Sequence, residues 1–429
     1  MDRESPSGGR LRLTPIVLLQ AANLLSGVAN GVTVLAIPWL VLERTGSVAA
    51  AGTVAAISFL PPVLASPLAG WAVDHIGRRV VSIASDVLSA VSVAAIPLVA
   101  LLTDLTLPWI LGLAILGATF DPSGYTARRA LLPDVAEASG MPVTRLNGIH
   151  EGVFSVGWVV GPLAGSLLIA GLGINAAFWA PFGCFVIAAV LIGVLRVGDS
   201  GQDAKAAREA SGQEHPSAWQ NAVLGLRILW TDPVLRALTL AVTILAAIYL
   251  PTESVLLPAH FVDLEQPGAL GIILASLAAG TILGAFGFGW LATRFSQRGL
   301  MRTALLGTAV AYIPMALLPP LPVLAVAGFT LGLAWGPMQP LMTTLIQNRV
   351  DPDAQGRVFG IQLSLFSALP PMSMLATGAA AERFGIPAVL LLLAGLLVVM
   401  AVATVSLRAL RHVDPPSSSA PSTGPATEL

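Results

Sequence analysis

The chain has 429 residues, of which 55% are hydrophobic and only 10% are charged, with a formal net charge of −1. Soluble domains carry about 25% charged residues, so this composition is typical of a membrane protein and gives no indication of a nucleic-acid partner. The single cysteine, Cys184, excludes a disulfide framework and a cysteine-rich metal site. The single lysine, Lys205, follows an alanine rather than a glycine, which excludes a Walker A phosphate loop. We therefore expect neither an enzyme nor a bound cofactor.

Long apolar runs follow one another along the chain. A helix needs about 20 mainly apolar residues to cross a membrane, and the sequence contains twelve such runs. We predict an all-α membrane protein with two groups of six transmembrane helices. The predicted spans are 14–41, 48–73, 80–102, 107–130, 147–171, 175–195, 234–258, 269–292, 300–318, 321–347, 358–381 and 386–408.

The basic residues predict the orientation. Lys and Arg are enriched in the cytoplasmic loops of membrane proteins. With the N-terminus placed in the cytoplasm, only Arg44 and Arg383 of the 22 Lys and Arg residues fall on the outside. This distribution predicts that both termini are cytoplasmic.

A polar stretch at residues 197–233 divides the spans six and six. Its apolar residues Trp219, Val223, Leu226 and Trp230 have helical spacing, which predicts an amphipathic helix on the inner membrane surface. The predicted domains are an N-terminal bundle at 1–196, the linker at 197–233, a C-terminal bundle at 234–412 and a disordered Pro/Ser-rich tail at 413–429.

The two groups of spans carry traces of an internal repeat. Gly70-Trp71 recurs as Gly289-Trp290, and the same spacing carries Pro133-Asp134 onto Pro352-Asp353. Parallel six-helix repeats with a central substrate site are known among membrane transporters.

The stretch GWAVDHIGRR concentrates charge at the predicted cytoplasmic turn between the second and third spans. It resembles the loop signature of the major facilitator superfamily, in Gly70, Asp74, Gly77, Arg78 and Arg79. The positive-inside rule explains the two arginines but not the acid and the glycines. An acid there can accept hydrogen bonds from a helix N-terminus. The hypothesis is that Asp74 and Arg78 form a gating latch against the helix that opens at Gly356-Arg357.

The stretch GWVVGPLAG in the fifth span resembles the antiporter motif of the drug:proton antiporter branch of that superfamily. The matching residues are Gly157, Gly161, Pro162 and Gly165. Small residues four apart let two helices approach closely, and proline permits a bend. Ordinary tight packing is one interpretation, and the resemblance implies the other, a bendable helix that limits leak in an exporter.

Further stretches narrow the resemblance. IPWLVLERTGS, RRALLPD and GRVFG resemble the macrolide-efflux-like group, and YLPTESVLLP resembles the Tap-type multidrug efflux pumps of mycobacteria and related actinobacteria. The resemblance covers essentially all twelve spans. It implies a transporter of the bacterial plasma membrane that exports tetracycline-, aminoglycoside- or macrolide-like drugs in exchange for protons.

Two departures from the family pattern stand out. Many drug antiporters carry an arginine midway along the fourth helix, where this sequence has Asp121 instead. The second-half copy of the charged loop, GWLATRFSQR, replaces the acid with Thr293 and the second glycine with Ser296. Proton coupling through the usual arginine is therefore not predicted.

Acidic residues inside the spans are the candidate proton-coupling or substrate-binding groups. A charge near the bilayer centre costs roughly 2.5–3.5 kcal/mol or more, so such residues tend to be functional. The candidates are Asp86, Asp121, Glu253 and the neighbours His150 and Glu151.

Each candidate also has a structural alternative. Glu253 can lie at the outer water boundary, Asp121 can cap a helical segment after Pro122, and Asp86 can anchor the third helix to a neighbour. His150 and Glu151 form either a titrating pair or an acidic helix start favoured by the helix dipole.

Uncharged polar side chains share one face in two of the spans. They are Gln20, Asn23 and Asn30 in the first span and Gln339, Thr343 and Gln347 in the tenth. Lipid cannot satisfy amide groups. We therefore expect these side chains to line a cavity, with contact to another helix as the alternative.

The sequence favours a secondary transporter that exports drugs with the proton gradient as its energy source. We expect it to act as a monomer, with a small-molecule substrate and the lipid bilayer as its partners. One alternative is a transporter of the same fold for a specific metabolite, siderophore or lipid. Another is a receptor or scaffold that transports nothing.

Overall fold

The computed structural model describes residues 12–59, 76–198 and 218–407. Within these ranges the secondary structure is helical and no strand is present, which confirms the all-α prediction. Nine of the described helical segments are long and apolar enough to cross a membrane. Leu101, Phe286 and Val310 are highly exposed on their helices, as expected for side chains that face lipid. The chain is a multi-pass membrane protein.

The N-terminal half, as far as it is described, contains helices α1 to α8. They are α1 Leu13–Thr45, α2 Val48–Ser58, α3 Arg78–Leu102, α4 Leu107–Ala130, α5 Leu132–Ser139, α6 Val143–Leu172, α7 Ile174–Ala177 and α8 Trp179–Val194. The predicted second span is thus described only in its first part. The sequence pattern did not predict α5, which starts at a Leu-Pro step and ends at Gly140. Gly140 adopts the left-handed conformation, with φ 73°, that glycine provides at helix ends.

The remaining helices are numbered α9 to α17. They are α9 Ala218–Thr231, α10 Pro233–Pro251, α11 Leu257–Asp263, α12 Pro267–Ala292, α13 Gln297–Ala316, α14 Leu321–Trp335, α15 Met338–Arg349, α16 Pro352–Phe384 and α17 Ile386–Ser406. A π-helical turn at Thr252–Leu256 joins α10 to α11 within one continuous span. A break at Gly336 and Pro337 separates α14 from α15, at a proline that cannot donate a backbone hydrogen bond.

The end of the predicted linker forms helix α9. Val223, Leu226 and Trp230 are exposed along one side, while Leu229 is fully buried. A Cβ atom added at Gly225 would lie 2.6 Å from the carbonyl oxygen of Arg357. The close backbone approach therefore fixes α9 against the first turns of α16.

Glycines hold α1 and α6 together inside the N-terminal half. A Cβ atom added at Gly161 would lie 2.6 Å from the Cα of Gly31, and one at Gly157 would lie 3.0 Å from the Cα of Gly27. Pro162 lies within α6 without interrupting the helix. The two backbones therefore touch where the antiporter motif was recognised, as small residues at four-residue spacing permit.

Among the described residues, the N-terminal and C-terminal halves contact each other most extensively through α2 with α16 and α6 with α12, and α1 also contacts α11. In the first pair, a Cβ atom at Gly52 would lie 2.6 Å from the carbonyl oxygen of Met374 and 3.2 Å from the Cα of Gly378. In the second, Gly271 of α12 packs directly against Ser166 of α6. In each pair, atoms of the opposite half occupy the space beside a glycine, so a larger side chain at that position would overlap with them.

Candidate functional site

A cavity of about 430 Å³ lies between the two halves. Helices α1, α2, α3, α4, α6 and α8 contribute most of its wall, and the C-terminal half contributes Ser254 of the π turn and Ser367 of α16. Protein cavities that hold drug-sized ligands span about 300–1,000 Å³. Its size and its place between the halves make this cavity the candidate substrate site.

The cavity wall is mainly apolar and carries a row of aromatic rings. The ring centroids of Tyr125 and Phe154 lie 4.6 Å apart, and those of Phe154 and Trp158 lie 6.2 Å apart. Asn30 and Thr33 of α1 add polar groups to the wall. Such a lining suits a molecule whose rings can stack on aromatic side chains and whose polar groups are few enough to be paired on the wall.

Asp121 is the one acidic residue among the described residues that line this cavity. Its carboxylate accepts a hydrogen bond from the Ser89 hydroxyl of α3. Helix α4 continues without a break through Pro122, so Asp121 lies within the helix and does not cap a following segment. A carboxylate in a mainly apolar cavity can bind a cationic or hydrogen-bond-donating substrate or a proton.

Asp86 does not line the cavity and forms a buried ion pair with Arg128. The Arg128 Nη1 atom lies 3.0 Å and 2.9 Å from the two carboxylate oxygens, and Nη2 donates to the Ser26 hydroxyl at 2.8 Å. The Arg128 and Asp86 side chains are only 1% and 2% exposed. The pair connects α1, α3 and α4, as the anchoring alternative for Asp86 requires.

Arg128 is the residue of this region that sequence reasoning missed. The positive-inside count places it, with Arg129, among the cytoplasmic charges, yet Arg128 is buried whereas Arg129 is 61% exposed. Arg128 follows Asp121 by seven residues, or two helical turns, so both lie on the same face of α4. The seven-residue spacing from Asp121 is the sequence feature that could have identified Arg128 as buried, because it places Arg128 on the interior face of α4 and Arg129 on the exposed one.

His150 and Glu151, although adjacent in the sequence, contact different partners. His150 is fully buried, with a ring nitrogen 3.2 Å from the Gln20 amide oxygen and its backbone carbonyl accepting from Asn23 at 2.9 Å. The exposed Glu151 accepts from the Tyr125 hydroxyl at 2.9 Å. Gln20 and Asn23 thus pack against α6 rather than on the cavity wall, whereas Glu151 connects to the cavity through Tyr125.

Glu253 lies in the π turn that joins α10 to α11. The Tyr249 hydroxyl donates to its carboxylate at 2.9 Å, and the preceding residue, Thr252, is hydrogen-bonded to Tyr312. Single π turns inside α-helices are rare and occur frequently at functional sites. Glu253 is not among the cavity-lining residues, although its neighbour Ser254 is. In addition to Asp121 on the cavity wall, Glu253 thus places a carboxylate of the C-terminal half next to the cavity.

The polar residues predicted for the tenth span fall in α15. Gln339 and Gln347 are exposed and Thr343 is half-buried. None of the three is among the residues that line the described cavity. Of the polar residues predicted to line a cavity, Asn30 of α1 therefore lies on the wall of the described cavity, whereas those of α15 do not.

The charged loop signature is described only in part. Gly70 and Asp74 lie outside the described residues. Gly77 precedes α3 with a positive φ of 106°, and Arg78 forms an ion pair with Asp134 of α5 at 3.0 Å. The Nε atom of Arg79 donates to the Ile192 carbonyl at 3.0 Å. These two contacts connect helices of the N-terminal half, so a latch between the halves through Asp74 stays a prediction.

The antiporter motif lies beside the cavity. Phe154 and Trp158 alternate along α6 with the glycines that contact α1, and a Cβ atom added at the third glycine, Gly165, would lie 3.3 Å from the Cα of Val32. The motif therefore lets α1 and α6 form one wall, with the aromatic rings facing the cavity.

Comparison with known proteins agrees with this architecture. The family model of the Major Facilitator Superfamily matches residues 21–369 and, in a second alignment, 252–428. The chain belongs to the major facilitator superfamily. Among members of this superfamily, the multidrug efflux pump Tap of Mycolicibacterium fortuitum is 38% identical over 408 residues, covering 93% of this chain and 97% of the relative.

More distant members of the major facilitator superfamily also match over most of their length. Macrolide efflux protein A of Streptococcus pyogenes is 24% identical over 403 residues, covering 92% of this chain and 96% of that protein. The crystal structure of a mutant of the nucleoside transporter NupG superposes with a TM-score of 0.77 at 13% identity, covering 91% of this chain and 98% of that one. This structural likeness concerns the fold.

Proposed function

We propose that this protein is a multidrug exporter that moves lipophilic drugs out of the cytoplasm in exchange for protons. The observation that carries the proposal is the cavity between the halves, whose described lining combines aromatic rings with a single carboxylate, Asp121. The similarity to proteins named multidrug and macrolide efflux pumps supports it. The proposal places the protein in a bacterial plasma membrane with both termini in the cytoplasm, in accord with the distribution of basic residues.

The cavity chemistry ranks the drug classes that the sequence suggested. A tetracycline-like drug has fused rings that can stack on Tyr125, Phe154 or Trp158, and a cationic group that can pair with Asp121. A polycationic aminoglycoside would bring several charges to a wall with one carboxylate, and unpaired charges are costly in apolar surroundings. We expect transport of tetracycline-like drugs first, macrolide-like drugs next and aminoglycosides last.

Asp121 is the residue that we propose to bind proton and drug alternately. It lies on the cavity wall, so both ligands can reach it, whereas Asp86 is already paired with Arg128. Glu253, beside the cavity in the π turn, is the second candidate for the proton. One proton that enters down 100 mV releases about 2.3 kcal/mol, enough to export an uncharged drug against a gradient of about 40- to 50-fold. A drug with one positive charge that is exchanged for one proton moves no net charge, so the pH gradient alone drives its export.

Transport in proteoliposomes with an imposed pH gradient tests the proposal. We expect drug movement that depends on the gradient and stops with an uncoupler. Asp121→Asn should abolish the proton dependence, because asparagine cannot exchange a proton. Asp104→Asn, an exposed acid in the turn before α4, serves as the matched control and should transport normally. Absence of gradient-driven transport across the drug panel would contradict the proposal, and full activity of Asp121→Asn would remove this residue from it.

A further inference from the structure

The first turn of α2 receives part of its cap from the opposite half of the protein. Ser47 precedes α2, and its hydroxyl accepts from the backbone N–H of Ala50 at 3.1 Å. The first turn of α2 contains no acidic residue of its own. Instead Glu382, at the end of α16, accepts from the backbone N–H of Ala49 at 3.0 Å and from the Ser47 hydroxyl at 2.9 Å. One carboxylate oxygen of the C-terminal half thus completes a helix start in the N-terminal half.

This contact lies at the predicted outer side of the membrane. The turns at Gly46 and Gly385, which flank the contact, lie beside Arg44 and Arg383, the two basic residues predicted outside. The orientation is that of the proposed exporter, on which this inference rests.

A close backbone contact lies directly below the cap. Gly52 and Gly378 face each other, and a Cβ atom added at either would lie 3.2 Å from the other's Cα. The cavity wall starts on the same helix at Val54 and continues through Ser58. The cap, the glycine contact and the cavity therefore follow one another along α2, from the outer surface inward.

We propose that Glu382 is a latch residue that holds the outer entrance of the cavity closed. Alternating access requires one half to rock against the other around the central site. The outer ends of α2 and α16 must then separate, which breaks both hydrogen bonds to Glu382 and exposes the N-terminus of α2 without its anionic cap. An anion at a helix N-terminus stabilises the helix by an amount equal to about a two- to fivefold change in an equilibrium. Glu382 therefore sets the fraction of molecules that open outward.

Labelling of the cavity from the outside tests this role without any drug or gradient. In a Cys184→Ala background, Thr33→Cys places a thiol on the cavity wall. A membrane-impermeant maleimide added to intact cells then measures how often the cavity opens outward. We expect Glu382→Gln to raise the labelling rate about two- to fivefold and Glu382→Ala to raise it further, since alanine accepts no hydrogen bond.

A second variant perturbs the same interface independently. Gly52→Ala inserts a methyl group between α2 and α16 and should also raise the labelling rate. Glu43→Gln changes an acid near the same surface whose carboxylate accepts from Trp39 of its own helix. Gly112→Ala adds a methyl group where no atom lies within 4 Å. Both controls should label like the parent.

The outcomes separate the latch from the proposed function. Labelling of the Glu382 variants at the parent rate, with normal amounts of protein in the membrane, would overturn the latch, as would an equal rise in Glu43→Gln. Faster labelling in a protein that exports no drug would leave the latch intact and contradict only the proposed function.

Discussion

Replacing Asp86 with asparagine would leave the Arg128 guanidinium buried without its counter-charge. In the wild type, both carboxylate oxygens contact Arg128 Nη1 within 3.0 Å, and the two side chains are 1% and 2% exposed. Breaking a buried ion pair by removing one partner costs about 3–5 kcal/mol. Folded proteins have a total stability of about 5–15 kcal/mol, so we expect Asp86→Asn to lose a large part of it.

Replacing both partners should be far less harmful than replacing one. Apolar residues of similar volume in place of a buried ion pair are often neutral or stabilising. We therefore expect the double variant Asp86→Leu with Arg128→Met to recover most of the stability that Asp86→Asn loses. The exposed pair of Arg129 and Glu151, at 3.6 Å, provides the matched control, and Glu151→Gln should cost less than about 1 kcal/mol.

The measurement is the free energy of unfolding in mixed micelles, titrated with a denaturing detergent and followed by tryptophan fluorescence. Drug binding to the refolded double variant provides a second readout, because an anchoring pair can be replaced without loss of the cavity. Wild-type stability of Asp86→Asn would refute the reasoning. So would a double variant that is less stable than the single one, or one that is stable but no longer binds drug.

Two other predictions concern helix contacts. Gly161→Ala should destabilise the protein by about 1–3 kcal/mol, because its methyl group would overlap the α1 backbone; Gly152→Ala in the same helix has open space and should keep its unfolding midpoint. The Asp232 carboxylate caps α10, where it accepts from the backbone N–H groups of Val234 and Leu235, and it also pairs with Arg349. Asp232→Ala removes this cap and should cost about 0.5–2 kcal/mol of stability in the same titration. Equal midpoints for the two glycine variants, or an unchanged Asp232→Ala, would contradict these assignments.

The helices were predictable because the bilayer imposes a length on apolar runs. Spans such as 80–102 and 107–130 agree within a few residues with Arg78–Leu102 and Leu107–Ala130. The small residues of the antiporter motif predicted a close helix contact, but the partner helix, α1, became evident only from the structure. Sequence spacing describes one helix at a time, whereas a contact depends on two.

The polar groups were harder to place for the same reason. Counting basic residues by loop treats Arg128 and Arg129 alike, although adjacent positions on a helix point about 100° apart. The π turn around Glu253 has no fixed sequence pattern. In the sequence, nothing distinguishes Glu382 from an ordinary surface acid, because its partner Ser47 lies 335 positions away.

The π turn at Thr252–Leu256 also determines where this span can lose a residue from its sequence without a change in packing. A π turn holds more residues than an α-helical turn, and hydrogen bonds within it run from i to i+5. Deleting one residue there would restore a regular α-helix and keep α11 near its present orientation relative to α10, because the π turn holds one more residue within about the same rotation. The buried Leu257 and Phe261 of α11 would then keep their present neighbours. A one-residue deletion in this segment is therefore a smaller structural change than a deletion in the regular part of the span, which would rotate all later residues of that helix by about 100°.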